Sequence, residues 1–307
     1  MKTVRLRAAA KINLYLEILG VRPDNFHELV MVLQSIDLAD TVTLRAAPTT
    51  GVRCSHPLVP TDRTNLALRA VEVLQKHTGI DEGVEIVIEK RIPVASGLAG
   101  GSTDAAAVLV GLNALWDLGL TQGQLQSLGA QIGSDIPFCV IGGTALAMGR
   151  GEVLSALPAL QGVYLVLAKI ADLQVSTAWA YQTYRREHLG AVAAPRARTS
   201  ALLSAVASRE VARIAPLLHN DLERAVLPAH PQVSALRERL AVAGALGAMM
   251  SGSGPSVFGL ASDRAHAEAI CAALAEDPSL ELFVCQTQQA GILFAESQPS
   301  SLQISHE

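Results

Sequence analysis

Charge is scarce in this 307-residue chain. Asp, Glu, Lys and Arg make up 17% of it, against 50% hydrophobic residues. Disordered polypeptides have the opposite balance, so the composition predicts a large buried core and excludes extended disorder. A basic excess is also missing: 24 Lys and Arg residues face 28 Asp and Glu, for a formal net charge of −4. No Lys/Arg stripe offsets this, so nucleic acid is not an expected partner. The longest small-apolar stretch, Ala241 to Met250, is far shorter than the ~20 residues that span a bilayer, and no membrane partner is expected. Met1 to Arg5 carries neither an apolar targeting core nor a cleavage site. The four cysteines, Cys54, Cys139, Cys271 and Cys285, form no CxxC pair. A zinc knuckle and a disulfide framework are therefore not expected, and the expected compartment is the reducing cytoplasm. His56, His77, His188, His219, His230, His266 and His306 lack the spacing of metal ligands.

What is present is periodicity and punctuation. Ile12, Leu14, Leu16 and Ile18 alternate with Lys11, Asn13, Tyr15 and Glu17. That period of two predicts a half-buried strand with Lys11 and Asn13 together on its non-core face. Arg22-Pro23-Asp24-Asn25 has turn chemistry. Strands are predicted at 41–44, 84–89, 143–148, 163–168 and 257–260, and helices at 65–77, 104–117 and 122–132. Residues 191–208, rich in Ala, Arg and Ser, predict a surface helix or loop, and the polar tail from Ser297 predicts fraying. Strands and helices mix without regular βαβ alternation, which points to an α+β fold. Two domains are expected, 1–157 and 158–307, with the boundary near Leu157-Pro158-Ala159.

The most informative stretch is Pro93-Val94-Ala95-Ser96-Gly97-Leu98-Ala99-Gly100-Gly101-Ser102-Thr103. A strand ends there, a glycine-rich loop turns, and a helix begins with Ser102, Thr103 and Asp104 expected at its cap. Glycines allow close backbone approach, and a helix start offers unpaired N–H groups and the positive end of a dipole, which suits phosphate. The Ser102 and Thr103 hydroxyls could bond phosphate or ligate its Mg²⁺. The loop is neither GxxxxGK[ST] nor GxGxxG. By itself it reads equally well as a tight connection into a capped helix.

Its company decides. The loop through Ala106, Ser251-Gly252-Ser253-Gly254-Pro255-Ser256-Val257-Phe258, and an N-terminal Lys-bearing strand together resemble the GHMP kinase superfamily of galacto-, homoserine, mevalonate and phosphomevalonate kinases. Further signatures are Ala10-Lys11-Ile12-Asn13-Leu14, Phe26-His27-Glu28-Leu29, Gln34 to Asp40, Gly133-Ser134-Asp135-Ile136-Pro137-Phe138 and Asn220-Asp221-Leu222-Glu223. They are most similar to the members that act on a cytidine diphosphate sugar alcohol, and the likeness runs from Lys11 to Gly259.

The resemblance implies a GHMP kinase fold: an N-terminal domain like domain 2 of ribosomal protein S5, which carries ATP, and a C-terminal ferredoxin-like domain. It implies transfer of the γ-phosphoryl of ATP, with Mg²⁺, to the 2-hydroxyl of a methylerythritol moiety, a step of the non-mevalonate route to isoprenoid precursors. Lys11 and Asp135 would be the catalytic pair, and Pro93 to Thr103 would bind ATP. Asn13, Phe26, His27, Tyr181, Gly252 and Ser253 would bind the acceptor, with His27 at the cytosine edge and Phe26 stacked on the base. No residue is assigned to the metal. The protein would act as a monomer or homodimer.

Taken alone, Lys11 reads as a solvated strand residue, Asp135 as a turn or cap, and Tyr181 as a rim aromatic. Gly252 and Gly254 would make a tight turn. Two departures from the family pattern stand out: Phe26 replaces a common Tyr, and Asn25 a common Gly, at a turn where Asn tolerates left-handed backbone. Competing expectations are a homoserine- or mevalonate-type kinase, a decarboxylase of the same fold, and a catalytically silent sensor. Intact Lys11 and Asp135 motifs disfavour the sensor.

Overall fold

The computed structural model describes residues 2–188 and 197–295. In chain order the first half runs β1 (Thr3–Val21), β2 (His27–Ala47), β3 (Gly51–Cys54), α1 (Leu66–Thr78), β4 (Gly83–Glu89), α2 (Gly100–Leu115), α3 (Gln122–Ala130), α4 (Ile136–Ile141), β5 (Thr144–Gly149) and β6 (Val153–Ala156). The second half runs β7 (Tyr164–Ile170), α5 (Thr177–His188), α6 (Ala197–Ser208), α7 (Val211–Ile214), a 3₁₀ turn, β8 (His219–Asn220), α8 (Glu223–Ala229), α9 (Pro231–Val242), β9 (Gly247–Met250), β10 (Val257–Leu260), α10 (Arg264–Leu274), β11 (Leu280–Gln286) and β12 (Ile292–Phe294).

Two sheets organise these elements. β1 and β2 form a long antiparallel pair at the centre of an eight-stranded sheet. β2 bonds β4 through its C-terminal half and β5 through its N-terminal half. The second sheet is antiparallel, in the order β11-β7-β10-β9. Its strands arise as β7, helices, β9, β10, α10 and β11, the ferredoxin-like sequence of elements that the resemblance implied. Two late segments return to the first sheet: β12 pairs antiparallel with β1, and β8 pairs parallel with it.

β1 departs from expectation. It is buried on both faces rather than one, because α1 and α2 pack on Leu6 and Ala8 while the second sheet covers Ile12 and Leu14. Lys11 and Asn13 are accordingly only 5% and 1% exposed. β2 is a single 21-residue strand where only 41–44 was predicted. Its polar break, Asp37 to Asp40, stays extended because Asp40 accepts from the backbone N–H groups of Arg91 (2.6 Å) and Ile92 (2.9 Å) and Asp37 from Gln286. α2 begins at Gly100, four residues earlier than predicted. Its cap is Ala99 in left-handed backbone (φ 58°) with no side-chain bond, so Ser102, Thr103 and Asp104 lie inside the first turns. α1 follows expectation: Asn65 caps it through Ala67 N–H, and Gly79 ends it at φ 75°. The 197–208 segment is a helix that leaves Arg198, Ser200, Ala201, Ser204 and Ala207 exposed while its other side buries Leu202, Ala205 and Val206; residues 189–196, the tail from Ser297 and His306 lie outside the described residues. No helix among the described residues is long and apolar enough to cross a membrane.

Candidate active site

A cavity of about 880 Å³ is lined by β1, β2, the glycine-rich loop, α5 and the β9–β10 loop, within the range typical of small-molecule sites. One wall is the glycine-rich loop. Ala95 (φ 52°) and Gly97 (φ 77°) turn it left-handed. Only glycine fits at 97, since a Cβ would strike the Ser251 carbonyl oxygen. The first intrahelical bond of α2 runs from Thr103 N–H to Ala99 O, so the N–H groups of Gly100, Gly101 and Ser102 precede the helical ladder, and all three residues line the cavity. This is a cradle for anionic oxygens. Of the eleven loop residues expected at ATP, Leu98 and Thr103 are fully buried and do not line the cavity; the other nine do. The buried Ser96 hydroxyl is committed to Pro93 O at 2.6 Å.

The floor is β1. Lys11 Nζ donates to Asn13 Oδ1 (2.7 Å) and stands 3.9 Å from Asp135 Oδ2. Asp135 occupies the position before α4, yet its carboxylate bonds no helix N–H and remains 36% exposed to the cavity. A buried ammonium and an accessible carboxylate thus meet across 124 residues of sequence. Gly252 closes over them: its φ is 55°, and a Cβ there would lie 3.3 Å from Lys11 Nζ and 3.0 Å from Gly97 O. Ser253 shares a 2.8 Å hydrogen bond with Thr177, at the start of α5.

The far end is aromatic. The His27 and Tyr181 rings lie 5.1 Å apart at 33°. Burial, reinforced by the nearby Arg185 charge, holds the His27 imidazole below its ordinary pKa, so it is neutral near pH 7. Its Nε2 is buried without a partner, an atom in want of a ligand. Burial and then the Asp135 charge push the Tyr181 phenol up. Phe26 is 52% exposed on a turn held by Asn25 at φ 66°, with the Arg150 guanidinium 4.8 Å above its ring.

Two groups at the site went unread in the sequence. Arg150, between Gly149 and Gly151, lines the cavity beside Phe26. Lys90 sits just before the glycine-rich loop and is buried between Asp40 and Asp104, donating to both. Burial, with the neighbouring Asp40 charge, raises the Asp104 carboxyl to about 7 against the pull of Lys90. The position of Lys90 beside the loop was the available signal. A hard divalent cation suits the oxygen donor beside the cradle: the Ser102 hydroxyl lines the same cavity as the N–H groups at the start of α2.

Residues 65–143 match the GHMP kinases N terminal domain and residues 202–279 the GHMP kinases C terminal. The chain is 88% identical over 302 residues to a 4-diphosphocytidyl-2-C-methyl-D-erythritol kinase of Gloeobacter violaceus, covering 98% of this chain and all of that one. It is 50% identical to the protein of the same name from a Nostoc species, covering 95% of this chain and 98% of that one. A crystal structure of 4-(cytidine 5'-diphospho)-2C-methyl-D-erythritol kinase superposes with a TM-score of 0.75 at 33% identity, over 92% of this chain and 98% of that one. Homoserine kinase from Cytophaga hutchinsonii superposes as well, at 0.76, over 96% of this chain and 98% of that one; at 20% identity it shares the fold. The chain belongs to the GHMP kinases, among the 4-diphosphocytidyl-2-C-methyl-D-erythritol kinases.

Proposed function

We propose that this kinase moves the γ-phosphoryl group of ATP onto the 2-hydroxyl of 4-diphosphocytidyl-2-C-methyl-D-erythritol. The observation that carries the reading is the Lys11–Asp135 pair, 3.9 Å apart, lining one cavity together with the glycine-rich loop and the His27–Tyr181 pair. Asp135 takes the proton of the acceptor hydroxyl. The hydroxyl oxygen forms its bond to the γ-phosphorus as the bond to the β,γ-bridging oxygen breaks, and ADP leaves with that electron pair. Lys11, beside the Asp135 carboxylate, holds that group in place and offsets charge on the moving phosphoryl group. The free N–H groups at the start of α2 hold phosphate oxygens. Neutral His27, with one donor and one acceptor nitrogen, suits the cytosine edge, and the Tyr181 and Phe26 rings suit its faces. Asn13, Gly252 and Ser253 line the same cavity, and we assign them to the acceptor.

Mg²⁺ bound with the nucleotide supplies charge compensation on the phosphates. The Ser102 hydroxyl, which lines the cavity at the start of α2, is the side chain that would hold it, which leaves the phosphates and water to complete the shell. The four free thiols suit a reducing compartment, and we assign the protein to the cytoplasm, as a monomer or homodimer.

The test is an acceptor comparison. With ATP and Mg²⁺, turnover is expected with 4-diphosphocytidyl-2-C-methyl-D-erythritol and not with homoserine or mevalonate at equal concentration. A preference for either of the latter two would overturn the reading.

A further inference from the structure

The segment Asn220 to Glu223 does not line the cavity, yet three of its side chains fasten the two elements that matter most to Lys11. β8 lies parallel to β1, pairing Leu16 with Asn220, and Asp221 N–H donates to Leu16 O at 2.9 Å. Asp221 Oδ2 accepts from Ile18 N–H at 2.9 Å. The strand that carries Lys11 is thereby fixed to β8. Asn220, 3% exposed, then reaches from β8 to the third glycine loop. Its Nδ2 donates to both Met250 O (2.9 Å) and Gly252 O (2.8 Å), and its Oδ1 accepts from Leu222 N–H (3.0 Å). One primary amide has two donors, and both are spent on this one loop. Glu223 adds a second tie by accepting from Met250 N–H at 2.9 Å.

The loop so held is tight against the reacting pair. A methyl group at Gly252 would stand 3.3 Å from Lys11 Nζ and 3.4 Å from Asn13 Oδ1. The lysine ammonium is confined between Asn13, Asp135 and the Gly252 backbone. A loop released from Met250 and Gly252 would leave the long Lys11 side chain room to choose other rotamers.

We propose that Asn220 is a positioning residue for phosphoryl transfer: by bonding the Gly252 carbonyl it presses that backbone onto the Lys11–Asn13 pair and keeps the ammonium aimed at Asp135. The inference rests on the reading of Lys11 and Asp135 given above. Misplacement of a reacting group by about 1 Å can cost around 100-fold, so Asn220→Ala is expected to lower kcat about 10- to 100-fold while KM for ATP moves less than about two-fold.

Loss of stability alone could mimic a lower rate, so the decisive readout is a double-mutant cycle on kcat with Asn13→Ala, run well below each variant's melting temperature. If Asn220 acts through the Lys11–Asn13 pair, its effect largely disappears once Asn13 is gone. Rate losses that multiply, or an Asn220→Ala kcat equal to that of the unmodified protein, overturn the proposal. Should Asn220→Ala fail to fold, Asn220→Ser, which retains one hydroxyl donor, takes its place with an intermediate loss expected and the same cycle applied. Lys11→Met separates the two claims. If it keeps full kcat, the assignment of Lys11 falls; if it is inactive while Asn220→Ala is normal, only the role of Asn220 falls.

Discussion

At the scale of single residues, chemistry and environment were unequally legible. The identities of Lys11, Asp135 and His27 stand in recognisable motifs, but nothing in the sequence said that Lys11 would be almost wholly buried. A strand alternating Lys and Asn with Ile and Leu ordinarily turns its polar side to water. Here that side faces a cavity roofed by the Gly252 loop, and the ammonium keeps company with Asn13 and Asp135 in place of solvent. Thr103 was misread for the converse reason: one residue beyond Ser102 on a helix points about 100° away, and the core lies there. His27 gives a pH prediction. Its folded-state pKa lies below the ordinary ~6.5 because burial and the Arg185 charge oppose protonation. The unfolded chain therefore takes up this proton first as pH falls below ~6.5, and the folded state loses stability through that window while being unaffected above it. Melting temperature should decline less steeply below pH ~6.5 in His27→Gln than in the parent. Parallel curves for the two proteins would contradict the assigned environment.

Among elements, those framed by local signals matched best. α1 has its Asn cap and Gly stop, and β10 occupies the predicted 257–260. α2 was started too late and β2 drawn too short because tertiary partners override local rules. Ala99 starts α2 in left-handed backbone without a capping side chain, a geometry that no capping preference announces. In β2, Asp40 looks like a turn residue until Lys90 and the N–H groups of Arg91 and Ile92 arrive from the far end of β4. Those contacts join β2, β4, the glycine-rich loop and α2 at one buried point, where a single ammonium serves two carboxylates. Removing one partner from a buried ion pair leaves uncompensated charge and typically costs 3–5 kcal/mol. Lys90→Met is accordingly expected to lose about 3–5 kcal/mol in urea unfolding, partly relieved by protonation of Asp104, whose pKa is already raised. A loss under about 1 kcal/mol would contradict the cluster's structural role.

For the molecule as a whole, the site exists only where distant segments close on one another. β1 brings Lys11, the loop before α4 brings Asp135, the β9–β10 loop brings Gly252, and α5 brings Tyr181. The motifs were readable in order along the chain, but their convergence depends on long-range strand pairing. So does the return of β8 and β12 to the first sheet, which two- and three-residue strands cannot signal by periodicity. Asp135 is the component whose removal isolates chemistry from binding, since it bonds no helix N–H and leaves the phosphate cradle at α2 untouched. The most direct measurement is single-turnover phosphoryl transfer to 4-diphosphocytidyl-2-C-methyl-D-erythritol by Asp135→Asn, with the ATP dissociation constant determined on the same protein. General-base loss predicts a rate lower by roughly 10²–10⁴-fold and nucleotide affinity within about two-fold of the parent. Transfer at the parental rate would contradict the assignment of Asp135 as the group that receives the hydroxyl proton.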